Sequence, residues 1–243
     1  MSGRDQPQMT NYRALERDLS SNLHLARRPV AIAFRDAPPD GVEKFSGTEP
    51  SGCSFWRVAS AGRAFYTVAG DHYNCPIGAY THNIPLPADR AHELDETLAL
   101  MAKVGYIRME EVGGIPRLAH TPSAVVYAPL GDTPVDPDVV VFWGPAASIM
   151  LLEEAALRAG VSSELQALSR PTCMAVSAAV SAGIVVSTAC IGNRVYTGAD
   201  EGEMFAMLRG SDVARVAAEA GTIASANAAL LEYHTERRSL ISE

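Results

Sequence analysis

The chain has 243 residues, 47% hydrophobic and 20% charged, with a net charge of −8. That balance describes a folded globular protein with a sizeable core, not a disordered chain. Lys and Arg cluster no further than the pair Arg27-Arg28, which argues against a nucleic-acid partner, since such a partner needs a basic stripe against its phosphates.

Taken in order, Met1 to Met9 is polar and lacks the apolar centre of a secretory signal. Tyr12, Leu15, Leu19 and Leu23 recur at helical spacing and predict a helix over about 11–25, capped by Asn11. Pro29 to Phe34 reads as a buried strand, closed by a loop at Pro38-Pro39 and Gly41. Cys53 leads a short helical segment that ends at Gly62, and Ala64 to Val68 follows as a strand. Asp71 to Gly78 contains Pro and Gly and is expected to be an irregular loop. A helix is expected over about 89–104, stopped by Gly105.

Beyond Gly113-Gly114, Ala124 to Ala128 and Val139 to Trp143 read as core strands, and Ala146 to Ala159 as a helix ended by Gly160. Cys173 to Ser181 reads as a helix, Gly183 as its terminator and Ile184 to Thr188 as a strand before Cys190. The span Cys173 to Asn193 carries no charge and approaches bilayer length, but Gly183 divides it, so a buried helix and strand are expected instead of a membrane segment. The tail is expected to be helical over Glu201 to Arg209, and again from Ser211 to about Arg238 with a bend near Gly221. Alternating strands and helices place the chain in the α/β class, with mixed α+β as the other arrangement.

The two halves resemble each other. Cys53, Gly62, a strand and Cys75-Pro-Ile-Gly-Ala-Tyr-Thr81 are matched by Cys173, Gly183, a strand and Cys190-Ile-Gly-Asn-Arg-Val-Tyr-Thr197. Pro29 to Phe34 likewise faces Pro137 to Phe142. Chance explains single matches but poorly explains their shared order. We therefore expect one domain built from repeated halves, about 26–107 and 122–223, packed about a pseudo-twofold axis with helices around a core sheet.

Four cysteines, Cys53, Cys75, Cys173 and Cys190, are present. Without an export signal a cytoplasmic setting is expected, where structural disulfides are rare and thiols serve as core residues, metal ligands or redox groups. Symmetry would bring the four together, and thiolates gathered in an apolar pocket require a cation or cluster between them. There is no Cys-x-x-Cys pair and no linear ferredoxin run, so an iron–sulfur cluster, four-iron by preference, is expected ahead of zinc. His72, with Asp71 beside it, is a candidate proton donor, and His82 a weaker one. Asn193 and Arg194 follow Cys190 and are candidates for holding a substrate or stabilising a thiolate. Trp56 reads as core, with Arg57 next to it. Phosphate-loop, dinucleotide-binding and nucleophile-elbow signatures are absent, and Trp143-Gly-Pro-Ala-Ala147 is only a weak anion-binding turn.

Arg28-Pro-Val-Ala-Ile, Cys53, Cys75-x-x-Gly78, Asp136-Pro-Asp-Val-Val140, Cys173 and Ser187-Thr-Ala-Cys-Ile-Gly-Asn-Arg194 together resemble a prokaryotic family known as domain of unknown function 169. The resemblance spans nearly the whole chain and implies a one-domain cytosolic protein with recurrent cysteines, without implying a substrate. Ala189 stands where the resemblance leads one to expect Gly before Cys190.

The functional expectation is an iron–sulfur oxidoreductase or lyase acting on a small molecule, with an electron-transfer partner and no membrane partner. All four cysteines are its ligands, and Arg194, Asn193 and His72 its polar surround. Two rivals stand beside it: a small-molecule sensor or accessory protein with plainly buried cysteines, and a zinc-stabilised scaffold.

Overall fold

A computed structural model describes residues 10–163 and 170–241. Met1 to Met9 lies outside the described residues. A six-stranded sheet runs through the centre in the order β2-β3-β1-β4-β6-β5. Its strands are β1 (Val30–Arg35), β2 (Phe65–Thr67), β3 (Ala124–Pro129), β4 (Val139–Pro145), β5 (Ile184–Ser187) and β6 (Glu203–Arg209). Every pairing between these strands is antiparallel. The fold is therefore of the mixed α+β kind, and the alternating α/β arrangement with a parallel sheet does not apply.

Strand alternation sorts the side chains into two cores. Val30, Ile32, Tyr127, Val141, Trp143, Phe205 and Met207 face one side. Ala31, Val140, Phe142, Ala206 and Leu208 face the other, where α1 (Tyr12–Asn22), α5 (Ala146–Arg158) and the first turns of α8 (Val213–Ile241) cover them. The first side carries α2 (Ser54–Ser60), α3 (Pro76–Thr81) and α6 (Met174–Ala182). Two further helices are α4 (His92–Lys103) and α7 (Ile191–Thr197).

Local chemistry sets the ends of these elements. The Asn11 side chain accepts from the Ala14 amide at 3.1 Å and caps α1. Gly183 ends α6 at φ +102°, a conformation that side chains rarely adopt. Gly210, just past β6, has no room for a side chain, because a Cβ there would lie 1.7 Å from the Pro137 carbonyl oxygen.

Two expectations are corrected. Glu203 to Arg209 is a strand, not a helix: Met204, Ala206 and Leu208 are good helix formers, but β4 and β5 pair with both edges of this segment, and tertiary pairing overrides propensity. Asp71 to Gly78 is not irregular throughout, since α3 begins at Pro76, where the ring's missing N–H costs nothing. Gly221 does not end the tail helix; it lies within α8 beside the Asn22 side chain. Among the described residues no helix is long and apolar enough to cross a membrane.

Candidate cysteine-lined site

Each of the four cysteines immediately precedes a helix on the same side of the sheet. Cys53 precedes α2 and Cys173 precedes α6; both are buried. Cys75 precedes α3 and Cys190 precedes α7; both are half-buried. Trp56 and Phe55 on α2 are fully buried, and Trp56 packs against Phe205 at 6.0 Å. Removing so large a buried ring costs roughly 3–5 kcal/mol, so Trp56 fastens α2, and with it Cys53, to the sheet. Trp56 is core, as its setting requires.

The four cysteines line one cavity of about 820 Å³, a size typical of small-molecule sites. Backbone amides address the sulfurs of the half-buried pair. Gly78 N–H donates to Cys75 Sγ at 3.3 Å, and Asn193 N–H donates to Cys190 Sγ at 3.4 Å. A Cβ on Gly78 would come within 2.9 Å of the Cys75 sulfur, so this approach depends on glycine. Burial, reinforced by the neighbouring cysteines, pushes the Cys53 and Cys173 thiols well up. Burial raises Cys75 as well, while the Gly52 and Gly78 amides favour its thiolate. The Thr81 hydroxyl beside Cys173 acts in the same favourable sense.

Asn193 is 1% exposed, and neither polar atom of its carboxamide has a hydrogen-bond partner among the described residues. It lines the cavity and stands near Cys53, whose thiolate it favours although no hydrogen bond is formed. A buried amide with nothing to bind is costly unless something arrives to satisfy it.

The other two polar candidates sit elsewhere. His72 is buried in the core and does not line the cavity. Thr67 donates to the Val125 carbonyl, so its oxygen is left to accept from His72 Nε2–H at 2.8 Å. Asp71 does not orient the ring; its carboxylate accepts from the Val68 amide instead. Burial lowers the His72 pKa to about 4, and burial together with His72 lowers that of His82 to about 3, so both rings are neutral. Arg194 donates to the carbonyls of Thr188, Asp200 and Glu203 and is absent from the cavity wall. It braces the chain around α7. Arg57 pairs with Glu49, at 3.8 Å.

Three residues near the cysteines escape a reading of the sequence: Arg170, Tyr106 and Tyr127. Arg170 and Tyr106 line the cavity, and the Tyr106 hydroxyl is placed where Cys190 and the Ile191 amide act on it. Tyr127 is fully buried near Cys53, Cys173 and Cys75. One signal was available for Arg170: Pro171 stands just ahead of Cys173 as Pro50 stands just ahead of Cys53.

A second, more open groove lies across the molecule, near α1. Its Arg28, Glu16 and Asp132 are already paired with one another, and it contains no cysteine. Among the described residues no group of three or more His, Cys, Asp or Glu could hold a metal ion.

The model of the DUF169 family, described as Uncharacterised ArCR, matches residues 18–219. This chain belongs to the DUF169 family. The matched span runs from α1 into α8 and includes all four cysteines and the cavity they line. No curated protein and no solved structure matches the chain.

Proposed function

We propose that the chain is an iron–sulfur protein, with Cys53, Cys75, Cys173 and Cys190 holding a cluster, four-iron by preference, at the wall of a cavity in which a small molecule reacts. The observation that carries this is the lining of one cavity by all four thiols of the chain, contributed by four separate helix starts.

Thiols are the donor type that clusters take. Amide N–H groups aimed at the Cys75 and Cys190 sulfurs are the kind of contact that tunes clusters. Asn193 offers a further, unused donor near Cys53. A single zinc fits less well: bonds of about 2.3 Å in a tetrahedron require sulfurs roughly 3.8 Å apart. No such tight group occurs among the described residues. A cluster carries its ligands around a larger inorganic core. When bound it would supply electron transfer or a Lewis-acidic iron; the chain itself holds the sulfurs, dries their surroundings and presents the cavity.

The reading includes a duplicated fold. Outward from the central β1–β4 pair, the strands run β3 then β2 on one side and β6 then β5 on the other. Each outer strand also meets an isolated parallel bridge, Lys44 with Tyr66 and Ser163 with Ile184. Cys53 pairs with Cys173 and Cys75 with Cys190 under this relation. This relation moves β3 out of the expected second half, 122–223, and into the first copy, so that the copies would extend through β3 and β6 with their junction between Pro129 and Val139.

One observation favours the rival reading of a binding protein with inert cysteines. Burial keeps the Cys53 and Cys173 thiols protonated in the absence of a cation, which suits small apolar residues. Anaerobic reconstitution with iron and sulfide separates the two. Stoichiometric uptake, lost when Cys173 is changed to Ser, supports the cluster; no uptake leaves the binding protein.

A further inference from the structure

Glu111 and Arg170 are the only charged residues on the cavity wall among the described residues. Glu111 is already satisfied: Arg108 donates to it through Nε at 2.8 Å and through its backbone amide at 3.2 Å. Arg170 is not. Its Nη2 reaches Glu111 only at 4.0 Å, while Nη1 donates to the Tyr106 carbonyl and the guanidinium lies 5.2 Å from the centre of the Tyr106 ring. Tyr106 thus holds the guanidinium in place from two sides without neutralising it. The rest of the wall is largely apolar, with Ile77, Leu98, Met101, Ile115 and Met174 among its members.

We propose that the cavity binds a small molecule with an apolar body and one carboxylate or comparable planar anion, seated on Arg170. A planar guanidinium recognises such an anion through paired N–H donors. Apolar walls strengthen the pairing by lowering the local dielectric and take up the remainder of the ligand. The proposal rests on the reading above only in taking this cavity as the working site; it does not depend on what the cysteines hold.

The test is calorimetric titration with 2-naphthoate and with its neutral counterpart 2-naphthamide. Both are applied to the wild-type protein and to Arg170→Gln, with iron and sulfide measured in the same samples. The acid should bind saturably and at least about tenfold more tightly than the amide, a difference of about 1.4 kcal/mol. In Arg170→Gln the two should bind alike, with thermal melting unchanged because the side chain is 43% exposed. Equal affinity of acid and amide for the wild type would overturn the proposal. So would absence of saturable binding by either, or survival of the preference in Arg170→Gln. A preference found in anaerobically reconstituted samples that hold no iron would leave this proposal standing while the cluster fails.

Discussion

The Cys190 amide donates to Thr172 Oγ1 at 2.6 Å, tying the turn after β5 to the residue that precedes Cys173. Thr172 is fully buried, so the bond is shielded from water, and it joins two of the four cysteine-bearing segments directly. Thr172→Val keeps the shape and removes the acceptor. It should lower unfolding stability by about 1–3 kcal/mol, as a stranded buried donor does, while Thr172→Ser should retain most of it. Urea denaturation of both variants checks this; equal loss in the two would show that the hydroxyl is not what matters.

Ala189, next to that amide, has φ +67°. An L-residue in the left-handed region carries about 1–2 kcal/mol of strain, and the family resemblance leads one to expect Gly here. Ala189→Gly should therefore raise stability, by about 1 kcal/mol after the greater freedom of glycine in the unfolded chain is deducted. A denaturation midpoint that falls would contradict the assignment.

His72 and His82 give the protein an acid-sensitive core. Both folded-state pKa values lie below the ordinary 6.5, at about 4 and about 3, chiefly because burial disfavours the charged ring. The unfolded chain takes up protons near 6.5 and the folded one does not, so stability is full above 6.5 and falls as pH drops. Each ring contributes a slope of about 1.4 kcal/mol per pH unit, ending near 4 for His72 and near 3 for His82. His82→Phe should remove one such slope. Comparing urea midpoints of wild type and variant between pH 7 and 4 isolates the effect, and parallel curves would count against it.

Asn193 bears on the proposed cluster. In reconstituted protein its carboxamide is expected to donate to the Cys53 sulfur, stabilising the more reduced, more negative state. Asn193→Leu should shift the midpoint reduction potential downward in a redox titration with little change in iron content. An unmoved potential would remove Asn193 from this role.

Much of the framework is legible in the chain because β-branched runs and glycines mark it. Val30 to Phe34, Ala124 to Ala128 and Val139 to Trp143 read as strands and are strands, and Gly105, Gly160 and Gly183 stop helices where expected. The failures have physical causes. Glu203 to Arg209 shows no alternation because the strand is buried on both faces for most of its length. Pro76 looked like a breaker but serves as the first residue of a helix. His72 beside Asp71 looked like an oriented acid–base pair, yet Asp71 turns to a backbone amide and His72 turns inward to Thr67. The four cysteines are conspicuous in the sequence. Arg170 and Tyr106 are not, since their proximity arises only when the segments around α4 and α6 fold over one cavity.

The central claim is tested most directly by anaerobic purification and reconstitution, followed by iron and acid-labile sulfide analysis with a visible spectrum. A brown protein is predicted, with iron and sulfide in equal amounts matching one four-iron cluster per chain. Its blue-region absorbance should bleach on oxidation and be absent from Cys53→Ser and Cys173→Ser. A colourless, iron-free protein under the same anaerobic conditions would contradict it.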